Sequence, residues 1–410
     1  MHADQRYFNA HPGVRMKTQY RENVGSIIRG LLNGVKHTAQ TFATANGLDA
    51  NQLEAIMNGS RPLTPDVEEA LLRHPGINQK YFYPPEVWDA FPVVDDTTDG
   101  VLTVSFEKTK NTERTVSRGP EKTPYYVYAD TALSNLSLFR PEWIKMLYAH
   151  TGETPDIPDW AFNKGHFEDQ VTYFIGPVNF YWIDESGNKR VCQMHTGDMN
   201  YITPFVPHSF TTREAGRGFI LAVTYGGAVA TDQFQSKIKS WELSQYIRNI
   251  EQQLPEIGQT LLDEHHGVLF KKRSEDGVII DGRYRIRSLM RDIPYQRETR
   301  AFEYIVTIDR SEKKLDIQTS SEKWAYNIGD TAVILLWGKD RRAEIEPGGS
   351  FLIQPDVPHA FRIDHDGEAK LLVIEITSGI GNPLEELALI RRYARGDGVA
   401  RVHTETTQWY

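Results

Sequence analysis

The chain has 410 residues, of which 25% are charged and 11% aromatic, with a net charge of −9 at pH 7. These values exclude a disordered chain, and the acidic balance argues against nucleic acid or a membrane surface as the main partner. Its single cysteine, Cys192, excludes an internal disulfide framework and a thiolate zinc site. The length calls for two to four domains. The opening residues lack the apolar core of a signal peptide, and no stretch reaches the roughly 18 apolar residues of a membrane span, so a cytoplasmic protein is expected.

Residues 1–80 are read as a helical domain, in which apolar positions recur at helical spacing over residues 22–75, with Gly47 and Gly59 where helices would stop. The pattern Phe42-Ala43, Gly47-Leu48, Leu53, Ile56 and Gly59 resembles a helix-turn-helix of the phage-repressor type. Yet from His37 to Ser60 there is no Lys or Arg, and Asp49 and Glu54 are present. A recognition helix without cations cannot neutralise phosphates. The segment is therefore expected to serve packing or assembly, for instance in a homo-oligomer, rather than DNA.

From residue 81 the character changes to short alternating strands with frequent Gly and Pro, as in VTYFIGPVNFYWI and GFILAVTYG. This predicts antiparallel barrels or jelly rolls. Residues 81–232 are read as a first barrel, 233–275 as a helical connector, 276–380 as a second barrel and 381–410 as a C-terminal helix and tail. The barrels are tied by an internal repeat: GDMNYITPFVPHSF and GGSFLIQPDVPHAF each carry a Gly eleven residues before a His and a Pro directly ahead of it. The expected fold is mainly β, with tandem barrels and an N-terminal helix-turn-helix-like helical domain.

Matching the upstream glycines Gly176 and Gly338 places His166 and Gln170 of the first barrel opposite Ile328 and Ala332 of the second. The second barrel then keeps only His359, for which a structural role is expected, and no metal. In the first barrel His166, Gln170 and His208 would share one face, since strand side chains alternate. Two imidazoles and one oxygen donor leave open coordination positions, as in non-haem Fe(II) oxygenases. Glu168 would fall on the same face and is the alternative oxygen ligand. The spacing of both motifs resembles the cupin fold.

In combination these residues resemble a family of non-haem iron enzymes that process phosphonates, in which a repressor-like helical domain is fused to a cupin. The resemblance implies Fe(II) as cofactor, and a small phosphonate and O2 as substrates. It implies phosphonate-binding roles for Asn163, just ahead of His166, for Tyr128 at the end of Tyr125-Tyr126-Val127-Tyr128, for Arg118 ahead of that strand, and for Lys36 of the helical domain. Members differ in the third ligand. One type has Glu four residues after the first His, where this chain has Gln170; another takes Glu six residues before the second His, where it has Ile202. The remaining type, with His, Gln and His, implies C–C cleavage of 2-hydroxyethylphosphonate to methylphosphonate and carbon dioxide or bicarbonate. Conversion to hydroxymethylphosphonate and formate is the alternative within the family, and a cupin-type transcriptional regulator the alternative outside it.

Overall fold

The computed structural model describes residues 24–377, apart from residues 26, 30, 33–34, 75–76, 83–90, 119–121, 138, 153, 158–159, 164, 167–168, 185, 203–205, 226–267, 275–277, 291–298, 309–314 and 365. Most of the expected connector, the C-terminal helix and tail, and Glu168 lie outside the described residues. Among the described residues no helix is long and apolar enough to cross a membrane.

Three short helices, Ala39–Asn46, Ala50–Met57 and Pro65–Leu72, follow the expected punctuation. The Thr38 hydroxyl caps the first and Asp49 the second, satisfying amides that have no partner inside the helix. Gly47 ends the first helix at φ 67, a left-handed conformation open to glycine without strain. Their apolar faces, with Phe42, Leu53, Ile56 and Leu71, close on Val24, Ile28 and Leu32 to form one core.

Apart from short helical turns at Gln79–Phe82 and Phe106–Lys110, the regular structure that follows is antiparallel sheet. In chain order the strands are β1 (Val101–Val104), β2 (Arg114–Arg118), β3 (Thr123–Asp130), β4 (Phe139–Met146), β5 (Asp169–Ile175), β6 (Val178–Ile183), β7 (Lys189–Met194), β8 (Met199–Ile202), β9 (His208–Thr212), β10 (Phe219–Tyr225) and β11 (Val268–Lys271). The second set comprises β12 (Val278–Asp281), β13 (Tyr284–Met290), β14 (Thr299–Thr307), β15 (Ser321–Asn327), β16 (Val333–Trp337), β17 (Arg341–Ile345), β18 (Ser350–Ile353), β19 (His359–Arg362) and β20 (Glu368–Thr377). In the first barrel a seven-stranded sheet ordered β11-β8-β5-β10-β4-β3-β2 is joined by a three-stranded sheet β7-β6-β9. The second barrel repeats the design as β1-β18-β15-β20-β14-β13-β12 with β17-β16-β19. Two jelly-roll barrels in tandem behind a helical region match the expected fold class.

Two strands depart from the expected layout. Val268–Lys271, read as part of the helical connector, is strand β11 and pairs with β8 of the first barrel. β1, read as part of the first barrel, pairs with β18 of the second. Each barrel therefore draws an edge strand from outside its expected boundaries. The alternating pattern of a short strand does not say which distant edge will accept it.

Alternation within strands sorts side chains into three cores. Phe174, Ile220 and Ile144 point into the first barrel with Phe180 and Phe210. Their neighbours Val171, Tyr173, Leu221 and Val223 point the other way and meet Trp324, Leu352, Leu372 and Ile374 of the second barrel. Ala325, Phe351 and Val373 fill the second barrel's interior. At about 1.5–3 kcal/mol for each fully buried large apolar side chain, the middle core fixes the two barrels face to face.

Candidate active site

Within the first barrel, β5 turns Gln170 and Thr172 inward alongside Phe174, and all three are buried. Gln170 pairs in register with Ile202 on β8 and with Thr224 on β10. Ile202 is thus its cross-strand neighbour on the same face. His166 lies just ahead of β5 and His208 opens β9; their rings are 5.1 Å apart at 79°. His166 Nε2 is 3.0 Å from Gln170 Oε1. The structure therefore brings His166, Gln170 and His208 together at one end of the barrel.

Asn163 fixes the second imidazole. Its Oδ1 accepts from the His208 amide at 2.8 Å and from the Gly165 amide at 3.1 Å, while its Nδ2 lies 3.0 Å from His208 Nε2. Gly165, at φ 87, supplies the left-handed turn that brings His166 back toward the barrel. His208 Nδ1 is 2.8 Å from the Val206 carbonyl. A carbonyl only accepts, so Nδ1 carries the proton and the lone pair is on Nε2, toward the site. Burial pushes His208 down to about 3, the Val206 contact opposes this, and the charges of Arg118 and Lys36 reinforce it. The imidazole is therefore neutral, the state a metal ligand requires.

Cations gather beside this group. Arg118 ends β2 and is buried, with Nη1 donating at 3.1 Å to the Ser209 hydroxyl and at 3.1 Å to the Ala161 carbonyl. Its guanidinium lies over the Tyr126 ring at 4.9 Å and the Tyr125 ring at 5.6 Å. Lys36 comes from the helical region of the same chain, buried at φ 58, and its Nζ has no hydrogen-bond partner among the described residues. Its charge acts on His208 and on Glu142 of β4. Tyr128 also faces this interior, with its ring 5.6 Å from the Arg114 guanidinium. Arg114 pairs with Glu142 at 2.7 Å and Asp130 at 3.0 Å, and burial raises the Glu142 carboxyl against the opposing pull of Arg114 and Lys36.

Sequence reasoning missed several residues here. Tyr126, rather than Tyr128, packs under Arg118, and its hydroxyl meets Ser209 Oγ at 2.8 Å and the Phe210 amide at 2.9 Å. A register shift between Val116 and Ser117 rotates Arg118 toward these partners. Thr172 and Ser209 carried no signal either; the inward position of Thr172 follows from alternation once Gln170 is placed, whereas Ser209, adjacent to His208, falls on the other face of β9. Among the described residues no group of three His, Cys, Asp or Glu is arranged to hold a metal. The donor set on offer is two imidazoles and an amide oxygen.

The second barrel corrects the expected alignment. Gln170 pairs with Ile202, six residues before His208, and Lys323 pairs with Ile353, six residues before His359. Lys323, rather than Ala332, is therefore the counterpart of Gln170, and Thr319 rather than Ile328 stands four residues ahead of it. Gly176 lies between β5 and β6 whereas Gly338 lies between β16 and β17, so matching those glycines slips the repeat by one strand. His359 keeps the geometry of His208, with Nδ1 2.8 Å from the Val357 carbonyl. Lys323 Nζ contacts the Thr319 hydroxyl and pairs with Glu375 at 3.3 Å. An ammonium offers a metal no lone pair.

No protein-family model matches the chain. It is 29% identical to the methylphosphonate synthase of Nitrosopumilus maritimus (strain SCM1), over 94% of this chain and 95% of that protein. It is similar to the structure of Streptomyces albus HEPD with 2-hydroxyethylphosphonate and Fe(II) bound, with a TM-score of 0.60 and 24% identity, covering 90% of this chain and 95% of that one. A structure of native PhpD with cadmium atoms is also similar, with a TM-score of 0.54 and 15% identity over 93% of this chain and 99% of that one. The resemblance seen in the motifs thus extends over nearly the whole chain.

Proposed function

We propose that this chain, which resembles methylphosphonate synthase along nearly its whole length, is a non-haem iron oxygenase that cleaves 2-hydroxyethylphosphonate with O2 to methylphosphonate and carbon dioxide or bicarbonate. The observation that carries this reading is the pairing of Gln170 with Ile202. These are the two positions from which the family's other types take a carboxylate, and as cross-strand neighbours they reach the same corner of the barrel. Neither is acidic here, so the third donor is a neutral amide.

The residues present fit Fe(II): His166, His208 and Gln170 would hold it, and imidazole nitrogens and an amide oxygen are donors this ion accepts. Bound iron supplies a place for O2 and the substrate hydroxyl to meet. Without a carboxylate, the metal keeps one more unit of positive charge for an anionic substrate to neutralise. Lys36, Arg118, Asn163 and Tyr128 are the proposed phosphonate donors, matching a dianion with two cations and neutral hydrogen-bond donors. Phe180 and Phe210 beside the His208 ring give that side of the site an apolar wall. Overall, one substrate and one O2 give methylphosphonate plus carbonic acid, the substrate supplying all four electrons.

Product analysis tests this reading. Anaerobic protein loaded with Fe(II) and exposed to substrate and air is expected to give a phosphorus-split methyl doublet in the proton spectrum. Hydroxymethylphosphonate and formate in its place would refute it.

A further inference from the structure

We propose that Thr172 is a positioning residue that turns the Gln170 amide so that its oxygen faces the metal; this rests on the reading of Gln170 as third ligand. A carboxylate offers an oxygen whichever way it rotates. A primary amide offers an oxygen on one side and, on the other, an NH2 group with no lone pair for a cation. A site built on Gln rather than Glu therefore needs a device that selects the rotamer.

The first part of that device is a 2.8 Å hydrogen bond from Gln170 Nε2 to Thr172 Oγ1. With its nitrogen held there, Gln170 leaves Oε1 beside His166, 3.0 Å from Nε2. A hydroxyl can also donate, so Thr172 selects the rotamer only if its own hydrogen is engaged elsewhere. Asn200 lies directly opposite on β8. It is fully buried, and both its side-chain amide atoms are without a hydrogen-bond partner among the described residues. Its unfilled Oδ1 is the acceptor proposed for that hydrogen. In the proposed row Gln170 donates to Thr172, the Thr172 hydrogen turns to Asn200 across the strand pair, and the Gln170 oxygen is kept on the side of His166, where the metal would sit.

The test measures Fe(II) and Co(II) affinity by competition with a chromophoric chelator, together with the Co(II) ligand-field spectrum, in anaerobic protein without substrate. Thr172→Val is expected to weaken binding about 10- to 100-fold, the range for residues that orient ligands, and Thr172→Ser to restore it. In a Gln170→Glu background, where either oxygen serves, Thr172→Val is expected to leave affinity unchanged. Thr172→Ala provides the same contrast should Thr172→Val fail to fold. Wild-type affinity in Thr172→Val, or an equal loss in both backgrounds, overturns the role of Thr172. Wild-type affinity in Gln170→Ala overturns instead the reading of Gln170 as ligand.

Discussion

Lys36 holds a left-handed backbone at φ 58, which a side chain with a Cβ adopts at a cost, and it buries an ammonium without a hydrogen-bond partner among the described residues. Both features are unfavourable for the free protein, and a bound anion offsets the second. A charge-assisted hydrogen bond contributes about 1.5–3 kcal/mol, and each 1.4 kcal/mol is about tenfold in affinity. Lys36→Ala is therefore expected to raise KM for the phosphonate about ten- to a hundredfold while leaving Fe(II) affinity nearly unchanged. Steady-state kinetics and a metal titration check this; equal losses in both would remove Lys36 from substrate binding. Not every residue was as legible. Lys36 was legible through the resemblance of the helical domain, but the preference of Arg118 for Tyr126 depends on a backbone shift that no residue type announces.

At the scale of elements, the barrels show what a repeat reveals and what it conceals. The Gly, Pro and His of the second motif lie within one turn and one strand, so GDMNYITPFVPHSF and GGSFLIQPDVPHAF could be matched by eye. The partner strand was harder, because glycine turns recur between most strands and an alignment on one of them slips easily. Once Lys323 is placed opposite Ile353, a buried ion pair with Glu375 occupies the ground where the first barrel gathers donors. Removing one member of a buried pair strands the other charge, at about 3–5 kcal/mol, whereas replacing both by apolar residues is often nearly neutral. Lys323→Met is thus expected to lower the melting temperature sharply, and Lys323→Met with Glu375→Leu to recover most of the loss, as calorimetry would show.

At the scale of the molecule, the helical region docks on β2, β3 and β4 through titratable groups. Burial, then the charge of Arg114 and the neighbouring His74, pushes His37 down to about 4; burial, then Arg140, lowers His74, while Asp130 opposes both. Above pH 6.5 neither folded nor unfolded chain protonates them, and this part of the stability is complete. As pH falls below that point the unfolded chain takes protons that the folded chain refuses, so stability is lost toward about pH 4. Glu142, raised by burial, works in the opposite sense. The comparison is therefore with His37→Gln/His74→Gln, whose melting temperature is expected to depend less on pH across this window. The fold class was legible throughout, since alternation and turn residues are local properties. The docking was not, because Asp130, Arg114 and Arg140 meet the helical region only after the barrel has formed.

The exchange of β1 into the second barrel sets a timetable for the nascent chain. Trp337 Nε1 donates to the carbonyl of Thr98, 239 residues earlier, and β1 finds its partner only when β18 has been made. At roughly 5–20 residues per second, the segment around Val101 waits on the order of ten to fifty seconds with its strand edge unpaired. The first barrel is free to close once β11 emerges, while the second depends on a strand synthesised long before it. Completion of the molecule is thus a clasp fastened from both ends of the chain, and a ribosome stalled between β11 and β18 holds a first barrel whose apolar outer face, with Tyr173 and Leu221, is still uncovered.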